Sequence, residues 1–362
     1  MPVKNLSNDI DLLVEDAVIL LQNLIHTPSF SKEEKNTALL LRHFLESKGV
    51  EVHQNGNNIW AVAENHREGA PVILLNSHHD TVKPANGWET DPFKPTIQDG
   101  KLIGLGSNDA GASAVSLLAA FLYLRKLPQL PFKLIVAITA EEEISGQNGI
   151  SSILDELGAI DLGVVGEPTG MQMAIAEKGL MVLDCVAHGK AGHAARDEGE
   201  NAIYKAMSDL KWFREYAFEK VSPVLGPVKM TVTQINAGSQ HNVVPDRCNY
   251  VVDIRSNECY SNQEILEIVQ QNVQAEATAR STRLNASGIA LEHPIVKKGL
   301  ALDLGYYGSP TLSDQALMGF TTLKIGPGQS SRSHTPNEYI MLDEIEEGIR
   351  IYIELLEGLE II

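Results

Sequence analysis

The sequence predicts an α/β fold, a mostly parallel or mixed sheet flanked by helices, interrupted by a smaller inserted α+β domain. Three observations lead there. Residues 72–75, 133–139 and 162–165 are apolar runs without alternation, as expected of strands buried on both faces. Helix-like segments lie between these runs, the alternation that builds parallel sheets. From about residue 178 the pattern becomes strand, helix, strand, strand, helix, and residues 228–235 alternate with the period of two of a half-exposed antiparallel strand. The expected division is a discontinuous first domain, residues 1–177 plus 290–362, around an inserted domain, residues 178–289.

Composition narrows the class. The chain has 362 residues, enough for two domains, and its 43% hydrophobic and 21% charged residues are ordinary for a globular protein. No stretch approaches the ~18 consecutive apolar residues of a membrane span. The N-terminus lacks the basic start and apolar run of a secretory signal. Cys185, Cys248 and Cys259 are odd in number and lack CxxC spacing, which argues against a disulfide framework and for a cytoplasmic setting. A net charge of −18 argues against nucleic acid or an anionic membrane as partner.

Taken in order, residues 10–26 read as a helix with Leu12, Leu13, Val18, Leu20, Leu21 and Leu24 on one broad face. Ser31 and Glu34 have the spacing of a capping box for a second helix, which stops at Gly49. Residues 50–53 and 59–62 read as a hairpin around Asn55-Gly56-Asn57-Asn58. Asp109 falls where a glycine-rich loop meets a helix N-terminus, so it is either a functional carboxylate or an N-cap. In the inserted region, 180–187 and 249–255 read as strands, and 264–277 as a helix. Gly189 to Ala195 is expected to turn into a helix that continues over 201–218. Residues 312–318 read as a short helix, 321–325 as a strand and 342–356 as the closing helix.

Each buried run ends in ionisable residues: His78-His79-Asp80, Glu141-Glu142-Glu143 and Glu167. Ligands collect at the carboxyl ends of strands in open α/β sheets. A histidine with an aspartate two residues on can serve as a metal ligand whose other ring nitrogen is held by a carboxylate. With Asp109 and His334, the set is the mixed nitrogen and oxygen donor group that suits zinc. Charge supports a pair of ions: three carboxylate ligands and one hydroxide would neutralise two Zn²⁺, leaving one carboxylate free as a base. The plainer alternatives are solvated loop residues at each strand end. His79 is expected at the surface or behind the ligands. Arg332, two residues before His334, either binds an acyl-group carboxylate or faces solvent.

The strings SHHDTV, GLGSNDAGAS, TAEEEISG, VVGEPTG, GKAGHAAR, NVVPD and GPGQSSRSHTPNE span nearly the whole chain. They resemble the di-zinc amidohydrolase/exopeptidase family of acetylornithine deacetylase, succinyl-diaminopimelate desuccinylase, aminoacylase and carboxypeptidase G. Among these, the acetylornithine deacetylase branch matches the strings best. The resemblance implies a zinc exopeptidase-like catalytic domain, an inserted ferredoxin-like dimerisation domain, and two Zn²⁺ with Co²⁺ or Mn²⁺ as substitutes. It implies that His78 and Glu167 hold one ion, Glu143 and His334 the other, and that Asp109 bridges them, with a cis peptide to Ala110. Asp80 would orient His78, and Glu142 would be the general base. Glu141 stands where the family often has Asp, which leaves the working pair ambiguous; the spacing to Ser145-Gly146 favours Glu142 and Glu143. His193, from a second subunit of a homodimer, would bind the oxyanion. Asn242 and Arg255 would contact substrate, Arg255 through the α-carboxylate unless it forms only a surface salt bridge. The implied reaction is hydrolysis of an N-acyl amino acid, N-acetyl- or N-succinyl-ornithine in arginine biosynthesis, releasing acetate or succinate. Alternatives are succinyl-diaminopimelate desuccinylase, a dipeptidase or aminopeptidase, and a non-catalytic metal- or amino-acid-binding homologue.

Overall fold

The computed structural model describes residues 3–361, with side chains from residue 9 onward. The chain divides into two compact units. One comprises residues up to 175, 289–307 and those from 313 on; the other comprises 176–288 and 308–312. In chain order the elements begin with α1 (Val3–His26), α2 (Lys35–Ser47), β1 (His53–Asn55), β2 (Asn58–Val62), β3 (Val72–His78), β4 (Thr96–Gln98), β5 (Lys101–Ile103), α3 (Ala112–Leu124), β6 (Lys133–Thr139), α4 (Leu154–Leu157) and β7 (Leu162–Val165), followed by β8 (Met173–Glu177), which crosses from the first unit into the second. Next come β9 (Gly179–His188), β10 (Gly192–His193), α5 (Ala202–Glu215), β11 (Lys229–Ala237), β12 (Val243–Val244), β13 (Arg247–Ser256), α6 (Asn262–Asn272), β14 (Glu276–Ala279) and β15 (Ser287–Gly288). The chain finishes with α7 (Pro294–Ala301), β16 (Tyr306–Ser309), β17 (Thr322–Lys324), β18 (Tyr339–Met341) and α8 (Leu342–Leu356).

The main sheet of the first unit runs β1-β2-β6-β3-β7-β17-β8. It is a mixed sheet flanked by helices, as predicted. β3 lies between β6 and β7 and is parallel to both, and β17 is parallel to β7. Central placement explains the unbroken apolar runs: Ile73, Leu74 and Leu75 are all fully buried. Register then sets the chemistry. His78 pairs with Thr139, Asn76 with Val165, and Lys324 also with Val165. Four parallel strands therefore end at nearly one level, some 4.8 Å apart from neighbour to neighbour, so the residues that follow them share one edge. Behind the sheet, α3 is buried at every position and packs on α1 and α8, which its small residues allow.

In the second unit the sheet order is β11-β13-β9-β14, all antiparallel. With α5 after β9 and α6 after β13, this is the ferredoxin-like βαββαβ arrangement. Met181, Leu183 and Cys185 of β9 and Tyr250, Val252 and Ile254 of β13 point to one face. There they form a core with Ala206 and Phe213 of α5 and Val269 of α6.

Several local expectations are corrected. α1 starts at Val3, and Leu12 is 61% exposed, so its buried stripe is Leu13, Ala17, Leu20, Leu21 and Leu24. Ser31 does not cap α2; its hydroxyl donates to Asp80 Oδ2 at 2.8 Å, and the helix begins at Lys35 without a side-chain cap. Residues 192–193 form a strand with β12 rather than opening a helix, and α5 starts only at Ala202, capped by Asn201. α6 stops at Asn272, because Glu276–Ala279 is claimed by pairing with the edge of β9. A bulge between Val232 and Gln234 reverses the alternation of β11 and leaves Ile235 exposed. The expected helix at 312–318 is a single tight turn, Asp314–Leu317.

His79 is not at the surface. It is buried, with Nδ1 2.8 Å from Thr37 Oγ1 and Nε2 3.0 Å from the Asn57 carbonyl oxygen. Burial pushes its pKa down to about 4, below the ~6.5 of an unfolded histidine. The unfolded chain thus binds the extra proton first, and this stabilisation is present above pH ~6.5 and lost as the pH falls towards 4. In chemical denaturation, the stability lost between pH 7 and pH 4.5 should be smaller in His79→Gln than in the wild type by about 2 kcal/mol. Equal losses would contradict this.

Candidate metal centre

At the end of β3, the Nδ1 of His78 is 2.9 Å from the Asp80 carbonyl oxygen and 3.4 Å from Asp80 Oδ1. A carbonyl can only accept, so Nδ1 carries a hydrogen, and Nε2 is the atom that the ring, when neutral, would offer to a metal. That atom is buried and has no hydrogen-bond partner. Around it stand Asp109 Oδ1 at 3.4 Å, Glu142 Oε2 at 3.8 Å and Glu167 Oε1 at 3.8 Å. A second histidine, His334, has Nε2 3.0 Å from Glu143 Oε2 and 3.6 Å from Asp109 Oδ2. Two ligand triads result, His78–Asp109–Glu167 and Asp109–Glu143–His334, each with donor atoms within 4.8 Å of one another. Asp109 belongs to both, one oxygen towards each histidine.

These residues fit a pair of divalent cations. Donor atoms sharing a tetrahedral ion at ~2.0–2.2 Å lie about 3.3 Å apart, close to the separations between histidine nitrogens and Asp109. Without such an ion, the Nε2 of His78 can meet these carboxylates favourably only by taking up a proton. The electrostatics carry the same mark. Burial, reinforced by Glu167, Asp314 and Glu143, raises the pKa of Glu142 well above the carboxylate range. Burial and Asp109 push Glu167 up to about 8. Burial opposes charge on His78, yet Glu142, Asp109, Asp80 and Glu167 together hold its pKa well above the ordinary value. The hydrogen bond to Glu143 takes His334 up to about 9.

Beneath these side chains lies a layer of buried carboxylates that hold backbone. The single turn Glu142–Ile144 follows β6. Asp80 accepts from the amides of Glu142 (3.0 Å) and Glu143 (3.2 Å), and Glu34 accepts from the amide of Glu141 (3.2 Å). Glu141 is left-handed (φ 56°), and its carboxylate turns into its own loop to meet the Asn148 amide and Nδ2. The adjacent pair facing the centre is therefore Glu142 and Glu143. Asp109 follows a left-handed Gly106 and has a cis peptide to Ala110. Glu338, 2% exposed, accepts from the amides of Gly106 (3.1 Å), Asn108 (2.9 Å) and Asp109 (2.9 Å), bonds that favour its charged form against the upward push of burial and Asp109 on its pKa.

Arg332 is held by Glu344, with N–O distances of 2.6 and 3.1 Å, and its guanidinium lies 4.4 Å from the centroid of the Tyr339 ring. Its guanidinium is thus engaged within the protein rather than turned to solvent. Arg255 makes a two-point contact with Asp253, at 2.9 and 3.1 Å. His193 and Asn242 come together on the β10–β12 ribbon of the second unit, where the Ala194 amide donates to the Asn242 carbonyl at 3.0 Å. His193 is exposed there, its Nδ1 accepting from the Ala195 amide. Sequence reasoning missed Ser31, Glu34, Asn108 and Glu338. Glu338 had a signal, since it lies four residues from His334 in one loop; Ser31 and Glu34 imitated a helix cap and had none.

Residues 74–358 match the Peptidase family M20/M25/M40. The chain is 25% identical to a succinyl-diaminopimelate desuccinylase of Paracoccus denitrificans (strain Pd 1222), over 95% of this chain and 98% of that one. Among solved structures, it resembles the aminopeptidase PepT of Bacillus cereus, with a TM-score of 0.74 at 19% identity over 95% of this chain and 98% of that one. It also resembles a Bacillus subtilis dinuclear metal binding peptidase of the M20 family, with a TM-score of 0.74 at 16% identity over 97% and 100% of the two chains. The chain belongs to the M20/M25/M40 peptidase family of metal-dependent hydrolases.

Proposed function

We propose that this protein hydrolyses the amide of N-acyl amino acids with Glu142 as general base beside a dinuclear zinc centre. The observation that carries this reading is a pair of ligand triads sharing Asp109, with Glu142 outside both and its Oε2 3.8 Å from His78 Nε2. His78, Asp109 and Glu167 would hold one ion, and Asp109, Glu143 and His334 the other. When bound, such ions polarise an amide carbonyl and lower the pKa of water towards ~7.

The protein's own side chains do the rest. Glu142 takes a proton from the attacking water on its free carboxylate oxygen and returns it to the departing nitrogen. Its raised pKa makes it a stronger base than an ordinary carboxylate. Asp80 keeps the base from swinging away, since it grips the amides of both Glu142 and Glu143. Acetyl and succinyl substrates are both in view. The motif strings point to N-acetyl- or N-succinyl-ornithine, whereas the curated relatives carry the name succinyl-diaminopimelate desuccinylase.

A substrate panel with product identification tests this. N-acetyl-ornithine, N-succinyl-ornithine, N-succinyl-diaminopimelate and simple dipeptides are supplied to zinc-loaded protein. Acetate or succinate should be released, and Glu142→Gln should lose about 10²–10⁴ in kcat while keeping both metals. Cleavage of dipeptides alone would move the assignment to a peptidase, and no turnover in the wild type would leave a binding protein.

A homodimer through the second unit, with His193 of one copy completing the oxyanion site of the other, belongs to the same proposal and rests on the motif resemblance. Refolding Glu142→Gln with His193→Ala should then restore about a quarter of wild-type activity, because half of the dimers carry one intact site. A mixture no more active than its separate components would contradict it.

A further inference from the structure

We infer that Glu338 is a positioning residue for the metal centre, its buried carboxylate fixing Asp109 between the two ligand triads. The inference rests on the metal-centre reading above. Asp109 differs from the other ligands in that its two oxygens face different histidines, Oδ1 lying 3.4 Å from His78 Nε2 and Oδ2 3.6 Å from His334 Nε2. A small rotation of its backbone spoils both triads at once, whereas the loss of a terminal ligand spoils one. The turn that carries it has little regular structure to hold it: Asp109 and Ala110 have non-helical backbone angles and Gly106 is left-handed.

Glu338 supplies what the turn lacks. Its Oε1 accepts from the amides of both Asn108 and Asp109, and its Oε2 from Gly106. Its own carbonyl accepts from the Gly104 amide at 3.0 Å, so backbone and side chain grip the same turn. The loop bearing Glu338 also bears His334, and Asn108 ties the two together through Gln329 and Ser333. One loop thus delivers a ligand to one triad and clamps the residue common to both.

Three converging N–H donors call for a group that only accepts. A carboxylate does so, whereas the glutamine amide of the same shape turns an NH₂ towards one of the donors. Glu338→Gln therefore removes acceptance without removing volume, and Glu338→Asp keeps the charge but withdraws it by a methylene.

The test is calorimetric titration of Zn²⁺ into metal-free protein, with cooperative unfolding checked for each variant. The wild type should bind two equivalents. Glu338→Gln should weaken both sites together by about 10–100-fold, and at saturating zinc its kcat should fall with KM unchanged; Glu338→Asp should lie between. Asp209→Asn is the structural control, because buried Asp209 likewise accepts two backbone amides, those of Gln274 and Ala275, in the second unit. It should lower the unfolding midpoint and leave zinc affinity alone. Wild-type affinity in Glu338→Gln, weakening of one site only, or a loss no greater than that of Asp209→Asn would overturn the assignment. So would failure of both Glu338 variants to fold, which would make the residue part of the framework. A wild type that binds no zinc would instead sink the metal-centre reading itself.

Discussion

Four carboxylates, those of Asp109, Glu142, Glu143 and Glu167, face one another around two imidazoles, and that crowding of like charge is the constraint on which the structure turns. Two negative charges 4 Å apart repel by ~4 kcal/mol at the effective dielectric of a protein. Burial drives Glu142 and Glu167 towards their neutral forms, and the histidines are drawn towards their charged ones. Divalent cations resolve both tendencies. The deeper carboxylates, Asp80, Glu34 and Glu338, meet the same problem in another way, by accepting backbone amides. An anion satisfied by two or three N–H groups is stable where a bare one is not.

The fold serves this centre through strand register. Parallel β6, β3, β7 and β17 finish together, so residues about 60 or more positions apart in the chain arrive as neighbours across adjacent strands without long side chains having to reach. Glycine is needed where the layers close up. At Gly166, between β7 and Glu167, an added Cβ would lie 2.8 Å from Leu117 Cδ1 and 2.9 Å from Ser113 Cβ of α3. The turns that aim the ligands are locally unfavourable in return: His334, Glu141 and Ser145 all have left-handed backbone angles. Such conformations persist when the surroundings over-determine them, and here the carboxylate–amide bonds of the deeper layer do so for the turn after β6.

Much of this was legible in the residues. Apolar runs without alternation marked β3, β6 and β7, because a strand buried on both faces has no polar side to show, and their polar ends marked the centre. The pairing of Glu142 with Glu143 rather than Glu141 was only half legible. Spacing favoured it, but the deciding fact is the left-handed turn at Glu141, which no residue type announced. Illegible altogether were contacts made across the fold. Ser31 and Glu34 have the spacing of a helix cap, yet Asp80 and the Glu141 amide compete for them and win. Arg332 lies two residues from a ligand, but Glu344, twelve residues on, claims its guanidinium. In the second unit a bulge in β11 and the pairing of β14 with β9 overrode periodic patterns that read well locally.

Anomalous diffraction at the zinc absorption edge, on crystals grown with zinc, tests the central claim most directly. The account predicts two peaks on opposite sides of the Asp109 carboxylate, one within bonding distance of His78 and Glu167 and the other of Glu143 and His334. A single peak, or peaks that leave Asp109 uncoordinated, would contradict it.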